Sequence, residues 1–170
     1  SPMTWIAVAL LGLIQAQTNT PGPLPAFDCS GPEYRQFDFW IGEWDVVPNA
    51  ASAAAPASPA AAAAREPARS VIQKTQGGCV ILETWDDRQG GTGQSFNVYD
   101  RVTRQWHQIW VSNTGSLHFY RGGLQDGRMV YLGEVPLGPT ARVQGRRTVR
   151  LSFEAMGPDR VRQWSDSLNA

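Results

Sequence analysis

Two carboxylates, Glu83 and Glu134, stand in alternating apolar segments, where every second side chain turns toward the same sheet face. Both are expected to point inward. Buried acids whose pKa values are split can share general acid and base work, so Glu83 and Glu134 are candidate catalytic groups for an isomerase or hydratase type of reaction. The same alternation gathers indoles and amides around Glu83. Cys79, Ile81, Glu83 and Trp85 oppose Val80, Leu82 and Thr84; Ser95, Asn97 and Tyr99 oppose Phe96 and Val98; Trp106, Gln108 and Trp110 oppose His107, Ile109 and Val111. One face is thus mixed and the other mostly aliphatic. Rings that supply apolar area, beside a few polar groups that fix orientation, are what a small-molecule site requires. The candidate ligand-binding set is Trp44, Glu83, Trp85, Asn97, Trp106, Gln108 and Trp110. Its structural alternative is a packed core in which Gln108 or Glu83 satisfies the indole N–H groups.

Other chemistries find less support. His107 and His118 fall on neighbouring predicted strands, but two histidines without a Cys or carboxylate at ligand spacing read as strand surface and not as a metal or haem site. No metal and no cofactor is expected. The chain has no G-x-S-x-G, no H-E-x-x-H, no P-loop and no dinucleotide fingerprint. Cys29 and Cys79 are a candidate disulfide, which would stabilise the fold by roughly 4 kcal/mol on the chain-entropy estimate; two separately buried thiols are the alternative. With 15 basic and 15 acidic residues, formal charge is balanced, and nothing resembles a nucleic-acid footprint. The cluster Arg142, Arg146, Arg147 and Arg150 reads as a solvated strand face.

The elements that must carry these residues follow from punctuation. Residues 1–16 include an apolar run, Trp5 to Ile14, too short to span a bilayer and ending at the small Ala16, which fits a secretory signal. A periplasmic or secreted location is therefore expected, and an oxidising compartment would permit the bridge. Residues 17–34, rich in Pro and Gly, predict an extended approach, and residues 35–170 a single β-domain interrupted by an Ala/Pro-rich loop at 49–67. The first strand is predicted from Phe37 to Val47, where aromatic and β-branched residues alternate. Further strands are predicted at about 69–75, 79–85, 93–99, 104–111, 116–121, 128–134, 146–154 and 160–165, separated by turn signals such as Gly77-Gly78, Gly90-Gly91 and Gln125-Asp126-Gly127. Connections this short force antiparallel neighbours. Eight or nine such strands predict an all-β, up-and-down meander closing as a lipocalin-like barrel, with a β-sandwich as runner-up.

Several blocks resemble a bacterial, often exported family with a D-F-W-x-G-x-W signature. They are Phe37 to Val46, Gly78 to Trp85, Asn97 to Asp100, Trp106 to Val111 and Val161 to Gln163, so the resemblance spans about Cys29 to Trp164. It implies a lipocalin-like, calycin-type barrel, no known cofactor and no assigned reaction. Two departures stand out: the Ala-rich insert takes the place of a short hairpin, and the chain stops at Leu168-Asn169-Ala170, where such proteins continue into one more aromatic strand. The expectation is an incompletely closed barrel whose free edge pairs with a second copy or is covered by the N-terminal segment.

Three functions are open on this reading. The first is non-catalytic binding of a small apolar or amphipathic molecule in a Trp-lined cavity. The second is an enzyme using a buried Glu there, and the third a dimeric structural protein of the envelope with a filled barrel.

Overall fold

The computed structural model describes residue 22 and residues 28–48, 66–137 and 145–168. The expected leader, most of the approach and all but the end of the 49–67 loop lie outside the described residues. Nine strands follow one another in chain order through a single antiparallel sheet: β1 Gly42–Val46, β2 Ala68–Thr75, β3 Val80–Asp86, β4 Thr92–Asp100, β5 Gln105–Ser112, β6 Leu117–Gln125, β7 Arg128–Pro136, β8 Arg146–Ala155 and β9 Val161–Ser167. Turn chemistry sets this meander. Between β6 and β7, Asp126 (φ 49°) and Gly127 (φ 78°) both take the left-handed conformation that a two-residue hairpin turn demands.

The sheet curls into a half-barrel, an open lipocalin-like architecture with β1 and β9 as its edges. Among the described residues no ladder joins β1 to β9. The mixed face of the strands is concave and the aliphatic face convex, as the burial of Glu83, Ser95, Asn97, Trp106 and Gln108 shows. On the convex face Phe96, Ile109 and Phe119 stand side by side across β4, β5 and β6, at 40%, 38% and 56% exposure. The described residues therefore leave uncovered a face that an apolar composition would have covered.

The first strand is shorter than its alternation suggests. Asp38–Trp40 forms a 3-10 turn, a second one spans Pro32–Arg35 inside the approach expected to be extended, and β1 begins only at Gly42. Packing overrides β-propensity here. In a 3-10 turn residues three apart eclipse, which brings Phe37 and Trp40 onto one side, stacked with centroids 4.8 Å apart and almost fully buried. A strand would instead have paired Phe37 with Phe39, which is only half-buried. Gly42, at φ 148°, then turns the chain into β1 with a backbone few other residues adopt.

These turns plug one end of the half-barrel. Phe37 meets Trp106, Tyr131 and Phe153 edge-on, and Ile72, Ile81, Met129 and Leu151 complete the core around it. Polar and covalent ties hold the plug to successive strands. The Trp44 indole donates to the Trp40 carbonyl (2.8 Å), Lys74 on β2 pairs with Asp38 (2.7 Å), and Trp106 on β5 donates to Gln36 Oε1 (3.0 Å). Tyr34 packs on Tyr99 of β4, and Cys29 is disulfide-bonded to Cys79 at the foot of β3, with a Cα–Cα distance of 5.1 Å.

Candidate functional site

Beyond the plug, the concave face changes character. Glu83 on β3 is 8% exposed, and each of its carboxylate oxygens accepts a hydroxyl: Oε1 from Ser70 on β2 and Oε2 from Ser95 on β4, both at 2.7 Å. The strand register explains the contact. Ser95 lies directly across from Glu83, and Ser70 lies one pleat along from Ile72, Glu83's partner on β2. Asn97 Nδ2 donates to the Ile81 carbonyl (3.3 Å), which can only accept, so its amide orientation is determined. The same Nδ2 donates to Ser95 Oγ (3.1 Å), which leaves the Ser95 proton for Glu83. Asn97 Oδ1 in turn accepts from Gln108 Nε2 (2.9 Å) and from the Tyr131 hydroxyl (3.2 Å).

One chain of donors therefore runs from Gln108 and Tyr131 through Asn97 and Ser95 to Glu83, and Ser70 donates to it from the other side. Burial pushes the Glu83 carboxyl above its ordinary value, opposed by the hydroxyls of Ser95 and Ser70. No cation faces it among the described residues. Lys74, on the same side of β2, is engaged by Asp38. When Glu83 is protonated, Oε2 still accepts from Ser95 while Oε1 can donate to Ser70, so both charge states fit one geometry.

Rings surround the network on the side away from the plug. Trp110 lies in line with Glu83 and Ser95 across β3, β4 and β5, and Trp85 sits two residues further along β3. Their rings meet edge to face at 5.9 Å. Trp110 reaches across its neighbour strand because Gly93 has no side chain: a Cβ there would lie 2.4 Å from the indole. Tyr120 uses Gly133 in the same way, at 2.4 Å. Trp85, Trp110, His118 and Tyr120 are all half-buried and concave-facing, so each ring keeps some surface open to solvent. Burial, and then the Arg146 charge, lower the His118 imidazole, while burial raises the Tyr120 phenol against Arg147.

Of the residues singled out by sequence, Glu83, Trp85, Asn97, Gln108 and Trp110 converge here. Trp106 faces the same way but is packed beneath Phe37 in the plug. Trp44 leans toward the plug and lines a groove of about 480 Å³ along the β1 edge, with Ile41, Gly42, Glu43, Asp45, Pro158 and Asp159. That groove shares none of its lining with the Glu83 network. Glu134 corrects the expectation of a second inward acid. On β7 it is Met129, Tyr131, Gly133 and Val135 that turn inward, so Glu134 faces out, 64% exposed and paired with Arg146 at 3.7 Å. His107 is convex-facing, next to Thr103 Oγ1 at 3.3 Å.

Ser70, Tyr120 and Tyr131 join the site without having been singled out. Parity could have found Tyr131 through Met129, but the contact of Ser70 with Glu83 depends on the register between β2 and β3. No three His, Cys, Asp or Glu side chains gather as a metal site among the described residues, and no helix there is long and apolar enough to cross a membrane. No family model matches the chain, and neither a curated protein nor a solved structure does.

Proposed function

We propose that this protein binds a small amphipathic molecule, without transforming it, at the end of the half-barrel opposite the plug. Trp85, Trp110 and Tyr120 form the walls and the Glu83 network the floor. The observation that carries this reading is the contrast on one concave face: tightly filled beside the plug, yet lined with half-exposed rings around a fully hydrogen-bonded buried carboxyl further along. Burying a carboxyl costs several kcal/mol unless its oxygens are satisfied, and apolar residues of like volume would serve stability as well or better. A polar floor of this kind therefore suits recognition better than folding. The Cys29–Cys79 bridge supports a periplasmic or secreted location.

A catalytic role for Glu83 has one supporting feature, its raised pKa on a concave face. Against it, both oxygens are already occupied and no second acid faces inward from the described strands. The edges of β1 and β9, unpaired among the described residues, further support pairing of two copies through the sheet, which light scattering would register as twice the chain mass. Titration of intrinsic Trp fluorescence with short-chain amphipaths tests the binding reading: saturable change is expected. A flat response across charged and neutral headgroups would refute it.

A further inference from the structure

We infer that the molecule held at the end opposite the plug carries a positively charged nitrogen, seated against the Trp85–Trp110 ring pair on one side and the Glu83 carboxylate on the other. The inference rests on the binding reading above and goes further in naming the headgroup.

Three features of the geometry lead to it. Glu83 is a buried acid held by two serine hydroxyls at 2.7 Å, and it lacks a countercharge among the described residues. One chain of hydrogen bonds donates toward it, from Gln108 and Tyr131 through Asn97 and Ser95. These donors favour negative charge at its end, as oriented donors do around any oxyanion, and a cation seated there would offset the burial that opposes that charge. Thirdly, two indole rings, set edge to face at 5.9 Å, lie on the same side of the sheet as this acid. Aromatic faces attract cations through their quadrupole, and most strongly when water is excluded.

A cation placed here would supply the countercharge that the protein itself leaves out. The groups facing Glu83 from its neighbours are Ser70 and Ile72 on β2 and Ser95 and Asn97 on β4, none of which carries charge. His118, across β5 from the site, is held toward its neutral form by burial and Arg146. Arg147 stands near Tyr120 on the same side, so an anionic headgroup is the natural competitor.

The test compares octyltrimethylammonium, octyl glucoside and octanoate, which share a chain length and differ in charge, by calorimetry and Trp fluorescence on the full chain. The cation should bind about tenfold more tightly than the glucoside, and Glu83→Gln should bring the ratio of the two affinities close to one. Trp110→Leu is a second variant, expected to weaken the cation more than the glucoside. Equal binding of all three, unchanged in Glu83→Gln, would overturn the inference and leave the binding reading standing. So would a preference for octanoate. Failure of all three to bind would remove both.

Discussion

The two ends of the half-barrel put similar residues to opposite uses. Beside the plug, Trp106 is 2% exposed and its N–H is spent on Gln36; four residues along the same strand, Trp110 is only half-buried and rests over a glycine. Both are concave-facing indoles of β5. What separates them, among the described residues, is the segment before β1, which packs Phe37, itself stacked on Trp40, against Trp106 and not against Trp110. Polar side chains divide in the same way. Near the plug they tie segments together, whereas beyond it they converge on a single acid.

The contrast breaks first if the filled end proves not to be the core. Phe37 is fully buried and touches Trp40, Trp106, Tyr131 and Phe153, so Phe37→Ala should cost near the top of the ~3–5 kcal/mol seen for such truncations, measured by denaturant unfolding. A loss of less than about 1 kcal/mol would mean the plug is dispensable. Next in size is the covalent tie. Replacing Cys29 and Cys79 together by Ser removes a crosslink across a sequence separation of 50, at an expected cost of ~2–4 kcal/mol in unfolding free energy. If the plug depends on that tie, loss of the bridge should also expose Trp106, seen as a red shift of its emission.

Much of this division was legible in the sequence, and its failures have a common cause. Strand positions and the meander could be read because turns such as Asp126-Gly127 dictate backbone conformation locally. The concave parity of Trp106, Gln108 and Trp110 could be read because a strand alternates without exception in the absence of a bulge. The plug could not. Phe37 to Trp40 has the composition of a strand, and it is contacts with distant strands, β7 and β8 among them, that favour the 3-10 turn. Glu83 was identifiable as inward, but its two serine partners depend on register between three strands, which no single segment encodes.

A smaller effect sharpens the contrast from the lined end. Glu83→Leu strands the Ser70 and Ser95 hydroxyls in a buried setting and should cost ~1–3 kcal/mol. Glu83→Gln, by comparison, can accept from Ser95 and donate to Ser70, so it imitates the protonated acid. Linkage gives the sign. Because the folded-state pKa is raised above the ordinary 4.5, the native chain holds this proton more tightly than the unfolded chain. The Glu83 contribution to stability should therefore decline as pH rises past about 4.5 and level off above the raised pKa. Thermal melts of Glu83→Gln, set against the parent chain over that range, should lack this decline; identical pH profiles would show that Glu83 ionises as it does in water.

The smallest expected effect belongs to Glu134, which differs from Glu83 by its side of the sheet. Its carboxylate is 64% exposed and 3.7 Å from an Arg146 nitrogen that is itself half in water. Solvent screens such a pair, and holding two long side chains in register offsets most of the remaining attraction. Glu134→Gln should shift unfolding free energy by less than ~0.5 kcal/mol and leave amphipath binding unchanged. Raising salt should shrink even that difference, since exposed pairs are the first to be screened. The same substitution in an inward acid would alter both stability and binding. A Glu134→Gln variant that lost binding while keeping its fold would therefore place function on the convex face, beside Phe119 and Ile109, and reverse the assignment of the two surfaces.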